Sequence, residues 1–165
     1  MPRIFNQETI VYQEDSKAID KFKLLTAFPR LSTLVNSKHL VFDLRILKTG
    51  EYSFPYHFHR NAEELIMILS GSLTMRTPNG FETLKTGDII FFEVGEGGAH
   101  QFYNHEIEPC KYFDIRTTFG IDICEYPDSG KINIVPYNEV FEQDSKVDYH
   151  KGEENVDLIW NKLKK

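Results

Sequence analysis

Cysteine is scarce in this chain. Its two residues, Cys110 and Cys124, do not form a Cys-x-x-Cys pair. A disulfide-stapled scaffold and a cysteine zinc cluster are therefore excluded, and both thiols are expected to be reduced packing residues. No run of 18 apolar residues occurs, which removes a transmembrane helix. Positive charge is also short, with 19 Lys and Arg against 25 Asp and Glu and a net charge of −6. A nucleic-acid partner calls for a basic face, and no helix-turn-helix pattern is present either. The opening residues Met1 to Gln7 lack the apolar core of a signal peptide. These absences lead to the expectation of a soluble, cytoplasmic protein with no membrane or nucleic-acid partner.

What the chain does have is aromatic bulk, with 13 Phe and 8 Tyr among 165 residues. That composition suits pleated sheets, and the length suits one domain with a full core. Turn signals arrive at short, regular intervals, so the fold class is all-β. Strands are expected over 40–47, 64–69, 73–77, 81–84, 88–92, 100–103, 110–117 and 121–125. Asn79-Gly80 provides a tight hairpin turn, and Tyr126-Pro127-Asp128-Ser129-Gly130 another turn. Three segments follow: an N-terminal arm over 1–39, a barrel over 40–130 and a C-terminal extension over 131–165. The arm is expected to hold a short strand at Thr9 to Tyr12 and a weakly helical stretch from Glu14 to Leu25. Val156, Ile159, Trp160 and Leu163 fall at helical spacing and predict a terminal helix with one apolar stripe. Asn155 or Asp157 could cap that helix, and Lys162, Lys164 and Lys165 suit its C-terminal end. Its stripe has two candidate uses, covering the outside of the sheet or meeting a second copy of the chain.

The strongest chemical signal lies between Gly50 and Gly71. His57 and His59 are two apart, so on a strand both imidazoles enter one space while Phe58 turns away. Glu64 needs only a short turn to join them. Gly87, Gly95, His100 and Asn104 form a second cluster, a strand and a glycine-rich turn leading into a third histidine. The order Gly50, His57, His59, Glu64, Gly71 resembles the first motif of the cupin superfamily, and Gly87, Gly95, His100, Asn104 resembles the second. Two departures stand out: Glu93 occupies the usual proline position, and the gap from Gly95 to His100 is longer than the common form. The longer gap, with Tyr126-Pro127-Asp128 downstream, is similar to a branch of small single-domain bacterial cupins. The resemblance covers roughly 40–130. It implies a double-stranded β-helix, or jelly-roll, barrel with a 3-His/1-Glu metal centre on His57, His59, Glu64 and His100. It also implies a homodimer, with the arm packed on a neighbouring subunit.

Three imidazoles and one carboxylate suit divalent iron, manganese, nickel, cobalt or zinc, whereas calcium and magnesium ask for mostly oxygen. Four protein ligands on an octahedral ion leave two positions open. One carboxylate against a doubly charged ion leaves net positive charge, which favours a small anionic or bidentate oxygen ligand such as a sugar acid, hydroxy acid or keto acid. Glu63 competes with Glu64 for the carboxylate role, and the six residues leading to Gly71 select Glu64. His39, His105 and His150 lie in polar surroundings and read as surface residues, and Asn104 reads as structural. Arg116, Arg45 and Tyr52 are candidates for holding substrate, Arg116 as a carboxylate clamp. Tyr112, Asp114 and Arg116 share one strand face. Glu93 and Tyr112 are the candidate catalytic groups beyond the ligands. Two functions follow: a metal-dependent isomerase, epimerase or dioxygenase acting on a small oxygenated molecule, and a non-catalytic cupin that captures or senses one.

Overall fold

The computed structural model describes residues 1–161. Short runs rich in β-branched and aromatic residues, each closed by a turn, give the strands in chain order. They are β1 (Tyr12–Glu14), β2 (Leu25–Ala27), β3 (Leu40–Leu47), β4 (Phe58–His59), β5 (Glu64–Ser70), β6 (Ser72–Thr77), β7 (Gly80–Lys85), β8 (Ile89–Phe92), β9 (Gln101–Tyr103), β10 (Cys110–Thr117), β11 (Asp122–Tyr126), β12 (Lys131–Val135) and β13 (Glu139–Glu142). Two short helices join them, α1 (Leu31–Leu34) and α2 (Val156–Trp160). No helix among the described residues is long and apolar enough to cross a membrane.

The strands form antiparallel sheets in the orders β1-β2-β3-β10-β5-β8, β13-β12-β11-β4 and β7-β6-β9. In the first of these β1, β2 and β3 follow chain order, and β10 then enters between β3 and β5, closing the jelly roll from far along the chain. Alternation then sorts its side chains. Cys110, Tyr112, Asp114 and Arg116 fall opposite Leu47, Arg45, Asp43 and Val41 of β3, all on the inward face. Leu47, Ile68, Leu73, Phe102, Cys110 and Tyr112 sit at the centre of the core. A smaller cluster, with Ala27, Leu31 and Leu44 at its heart, packs the outer face against α1. Asn104 is fully buried and structural, its amide donating to the Leu47 and Glu108 carbonyls at 2.9 and 3.0 Å and its Oδ1 accepting from the Glu106 amide.

The arm departs from its expected form. Gln7–Thr9 is a single 3-10 turn and the strand starts at Tyr12, while the stretch expected to be helical forms turns and then β2. Asp15 accepts from the Lys17 amide at 2.8 Å, and Asp20 adopts φ +44°, so a helix cannot run through. Because β1 and β2 extend the large sheet, the arm is built into its edge. At the other end, residue 130 lies in the turn between β11 and β12, which pair along their whole length, and β13 follows on β12. Neither β12 nor β13 was expected from the sequence. The helix does not cover the sheet: Val156, Leu158, Ile159 and Trp160 are all exposed, and Asn155 stands at the N-cap without a side-chain bond. Leu163, Lys162, Lys164 and Lys165 lie outside the described residues.

Candidate metal centre

Backbone pairing aims the histidines. His57 and His100 form an antiparallel bridge, each amide donating to the other's carbonyl at 3.2 and 2.9 Å, which sends both side chains to one face. On β4, His59 pairs with Cys124 of β11 and shares that face. From the opposite sheet, Glu64 of β5 stands across from Arg116 of β10. These elements enclose a cavity of about 260 Å³. Ring or carboxylate donor atoms of His57, Glu64 and His100 lie within 4.8 Å of one another. His59 Nε2 is 3.7 Å from Glu64 Oε1, and His100 Nε2 is 3.3 Å from Glu64 Oε2.

Each imidazole is fixed from behind. The Nδ1–H groups of His57 and His100 donate to the Pro55 and Gly98 carbonyls at 2.8 and 2.9 Å, and that of His59 to Asp122 Oδ2 at 2.5 Å. With Nδ1 carrying the proton, Nε2 of every ring presents a bare lone pair to the cavity. Asp122 is itself held by the Asn61 amide at 2.9 Å, and Arg116 approaches it at 3.6 Å. Glu64 Oε2 is buried and has no hydrogen-bond partner among the described residues. Three lone pairs and an unsatisfied carboxylate oxygen around one space are the donor set that a divalent transition metal requires, so these residues fit such an ion.

Charge points the same way. Burial, reinforced by the charge of His100, lowers the His57 pKa to about 3, and burial lowers that of His100 to about 4. Both rings are neutral near pH 7 and ready to ligate. Glu64 is raised by burial and then by the neighbouring Asp114, a cost that a cation in the cavity would reverse. Burial acts to raise Asp122 as well, but the His59 hydrogen bond and charge outweigh it and hold the carboxyl below its ordinary value.

The structure brings His57, His59, Glu64 and His100 together with Arg45, Tyr112, Asp114 and Arg116 in the cavity wall. Arg45 is committed, its guanidinium donating to Asp114 at 2.9 Å and Thr26 at 2.5 Å. Tyr112 is buried, and that burial raises its hydroxyl pKa far above the ordinary value. Two candidates fall elsewhere. Glu93 is exposed beside the Glu96–Gly98 turn, outside the cavity wall, because it follows the inward Phe92 and points the other way. Tyr52 stacks on Tyr103 at 4.4 Å, a partner supplied by the Tyr52–Tyr103 bridge, and also lies outside the wall. Glu63, His39, His105 and His150 are exposed.

Sequence alone did not point to Cys124 in its cavity-facing role, Tyr126 or Asn133 in the wall, nor to Asp122 behind His59. Asp122, Cys124 and Tyr126 alternate along one strand, a period that could have flagged a shared face. Tyr126 belongs to β11, not to the turn after it.

Residues 44–116 match the Cupin_2 cupin domain family. No curated protein matches the chain in sequence. Solved structures do match in fold. A sugar phosphate isomerase from a cupin superfamily, from Silicibacter pomeroyi, is 18% identical with a TM-score of 0.75, over 90% of this chain and 98% of its own. The polyketide cyclase RemF of Streptomyces resistomycificus is 19% identical with a TM-score of 0.58, over 71% and 80%. A predicted oxalate decarboxylase from Thermotoga maritima is 18% identical with a TM-score of 0.58, over 71% and 100%. The match over residues 44–116 agrees with the sequence resemblance, and the chain has the fold of these solved structures.

Proposed function

We propose that this protein holds one divalent transition metal on His57, His59, Glu64 and His100, and acts there on a small oxygenated anion, a sugar acid, hydroxy acid or keto acid. The observation that carries the reading is the set of three Nε2 lone pairs, each fixed by an engaged Nδ1, around an unsatisfied Glu64 oxygen. When bound, the ion supplies Lewis acidity to an oxygen of the substrate. The remaining work belongs to the wall. Among the described residues Arg116 makes only long contacts, 3.4 Å to His59 Nδ1 and 3.6 Å to Asp122, so its guanidinium is available to clamp a carboxylate. Tyr112 keeps its proton and can donate a hydrogen bond to an oxyanion. The small oxygen-rich molecules in the names of the Silicibacter and Thermotoga proteins support that substrate class. Isomerase or epimerase chemistry and dioxygenase chemistry both suit it.

One observation favours capture without turnover. Asp114 is tied to Arg45 and burial holds the Tyr112 proton, so neither is a free general base in the wall. The test of the metal centre is mass-spectrometric metal content of protein purified without added metal or chelator. Near-stoichiometric metal in the wild type, lost in His57→Ala/His100→Ala, is the expected result. A wild type that is empty and refuses reconstitution would overturn the reading. Loaded protein that binds hydroxy and keto acids without converting them, in air or without it, would select capture.

A further inference from the structure

We propose that Cys124 is a ligand of the same metal centre, giving it a sulfur donor; this rests on the metal-centre reading above. Among the described residues two three-donor sets occur, and both contain His57: His57, Glu64 and His100, and His57, His59 and Cys124. In the second set the Cys124 sulfur and the ring donors of His57 and His59 all lie within 4.8 Å of one another. Donors about 2.0 to 2.3 Å from one ion are separated by distances of this order. The register of β11 against β4 enforces the placement, because Cys124 pairs with His59 and cross-strand partners share a face.

The two cysteines of the chain differ in a way that packing alone does not explain. Cys110 is fully buried in the core beside Leu47 and Tyr112, where a thiol behaves as a small hydrophobe. Cys124 is equally buried, but it lines the polar cavity with His57, His59, Tyr126 and Asn133. Glu64, which lines the same cavity, has its Oε2 buried with no hydrogen-bond partner among the described residues, so the cavity holds both an unsatisfied carboxylate oxygen and a sulfur. A cation there displaces the thiol proton to solvent and takes the sulfur as thiolate. One soft donor beside imidazoles biases the centre toward zinc, cobalt or iron and away from magnesium and calcium.

Cobalt(II) is the probe, added to the full-length chain. Visible d–d bands report that the ion binds to the centre, and a near-ultraviolet sulfur-to-cobalt charge-transfer band reports the thiolate. Both bands are expected in the wild type, and Cys124→Ser should keep the visible bands while losing the near-ultraviolet one. Visible bands with no charge-transfer band in the wild type, or a charge-transfer band that survives Cys124→Ser, would overturn the assignment and leave the metal centre standing. A wild type without visible bands would overturn both. X-ray absorption on the cobalt-loaded wild type decides the matter without any variant: a sulfur scatterer at about 2.3 Å supports the ligand, and a shell of nitrogen and oxygen alone refutes it.

Discussion

Asp122 supports the proposed centre from behind His59. It lies 2.5 Å from His59 Nδ1 and holds the ring in the tautomer that leaves Nε2 bare. In Asp122→Asn the charge is lost and the amide can turn a donor toward Nδ1, so His59 is held less firmly. Metal affinity should fall roughly 10- to 100-fold in a chelator competition, with the fold retained. An unchanged affinity would mean that His59 needs no such support. The grouping of the proposed ligands was legible because their spacing is local: His57 and His59 are forced to one face by the pleat, and Glu64 follows after a short turn. Asp122 was not legible, since it lies 63 residues from the ring it holds and nothing in a linear pattern says that β11 pairs with β4. Tyr112, Asp114 and Arg116 were readable as a one-faced set, but which face looked inward depended on strand order.

At the scale of elements, the turn between β5 and β6 carries a test of how closely strands approach. Gly71 has φ +78°, and a Cβ there would stand 2.8 Å from the Pro109 carbonyl oxygen and 3.1 Å from Cys110 Cα. Gly50 has the same φ but open space around its Cβ position. Gly50→Ala should therefore cost only the backbone penalty, about 1 kcal/mol, whereas Gly71→Ala adds a clash with backbone and should cost about 2 to 3 kcal/mol. Urea midpoints with unchanged slopes are the measurement, and equal shifts for the two variants would show that β10 yields. The strands from β3 to β11, apart from the two-residue β4, were legible because each is a run with β-branched or aromatic residues closed by a turn. The arm misled because its charges resemble a helix face, while Asp15 and Asp20 dictate turns. β12 and β13 are short and half-exposed or exposed, so no apolar alternation announced them.

For the whole molecule, the buried rings make stability depend on pH. His57 and His100 take up protons near pH 6.5 when unfolded but only near about 3 and about 4 when folded. Below pH 6.5 the unfolded chain therefore binds more protons, and stability falls as pH drops, by up to about 1.4 kcal/mol per pH unit for each histidine. Glu64, raised in the fold, works in the opposite sense and offsets part of that loss at the acidic end. Asp122, lowered in the fold, contributes in full above its unfolded value of 3.8, so its contribution is constant across the window. Metal-free protein should lose stability between pH 7 and pH 5 in urea titrations, and His57→Ala/His100→Ala should flatten that dependence. An equal slope in the variant would place the titrating groups elsewhere.

The anchoring of the three rings also sets an order of assembly. His57 and His100 take their orientation from carbonyls two residues away, so each loop aims its own ring as soon as it forms. His59 waits for a strand much later in the chain to dock. A polypeptide still missing β11 thus has two rings with local anchors and the third without one, and full-strength capture at the proposed centre would report that the chain has closed on itself.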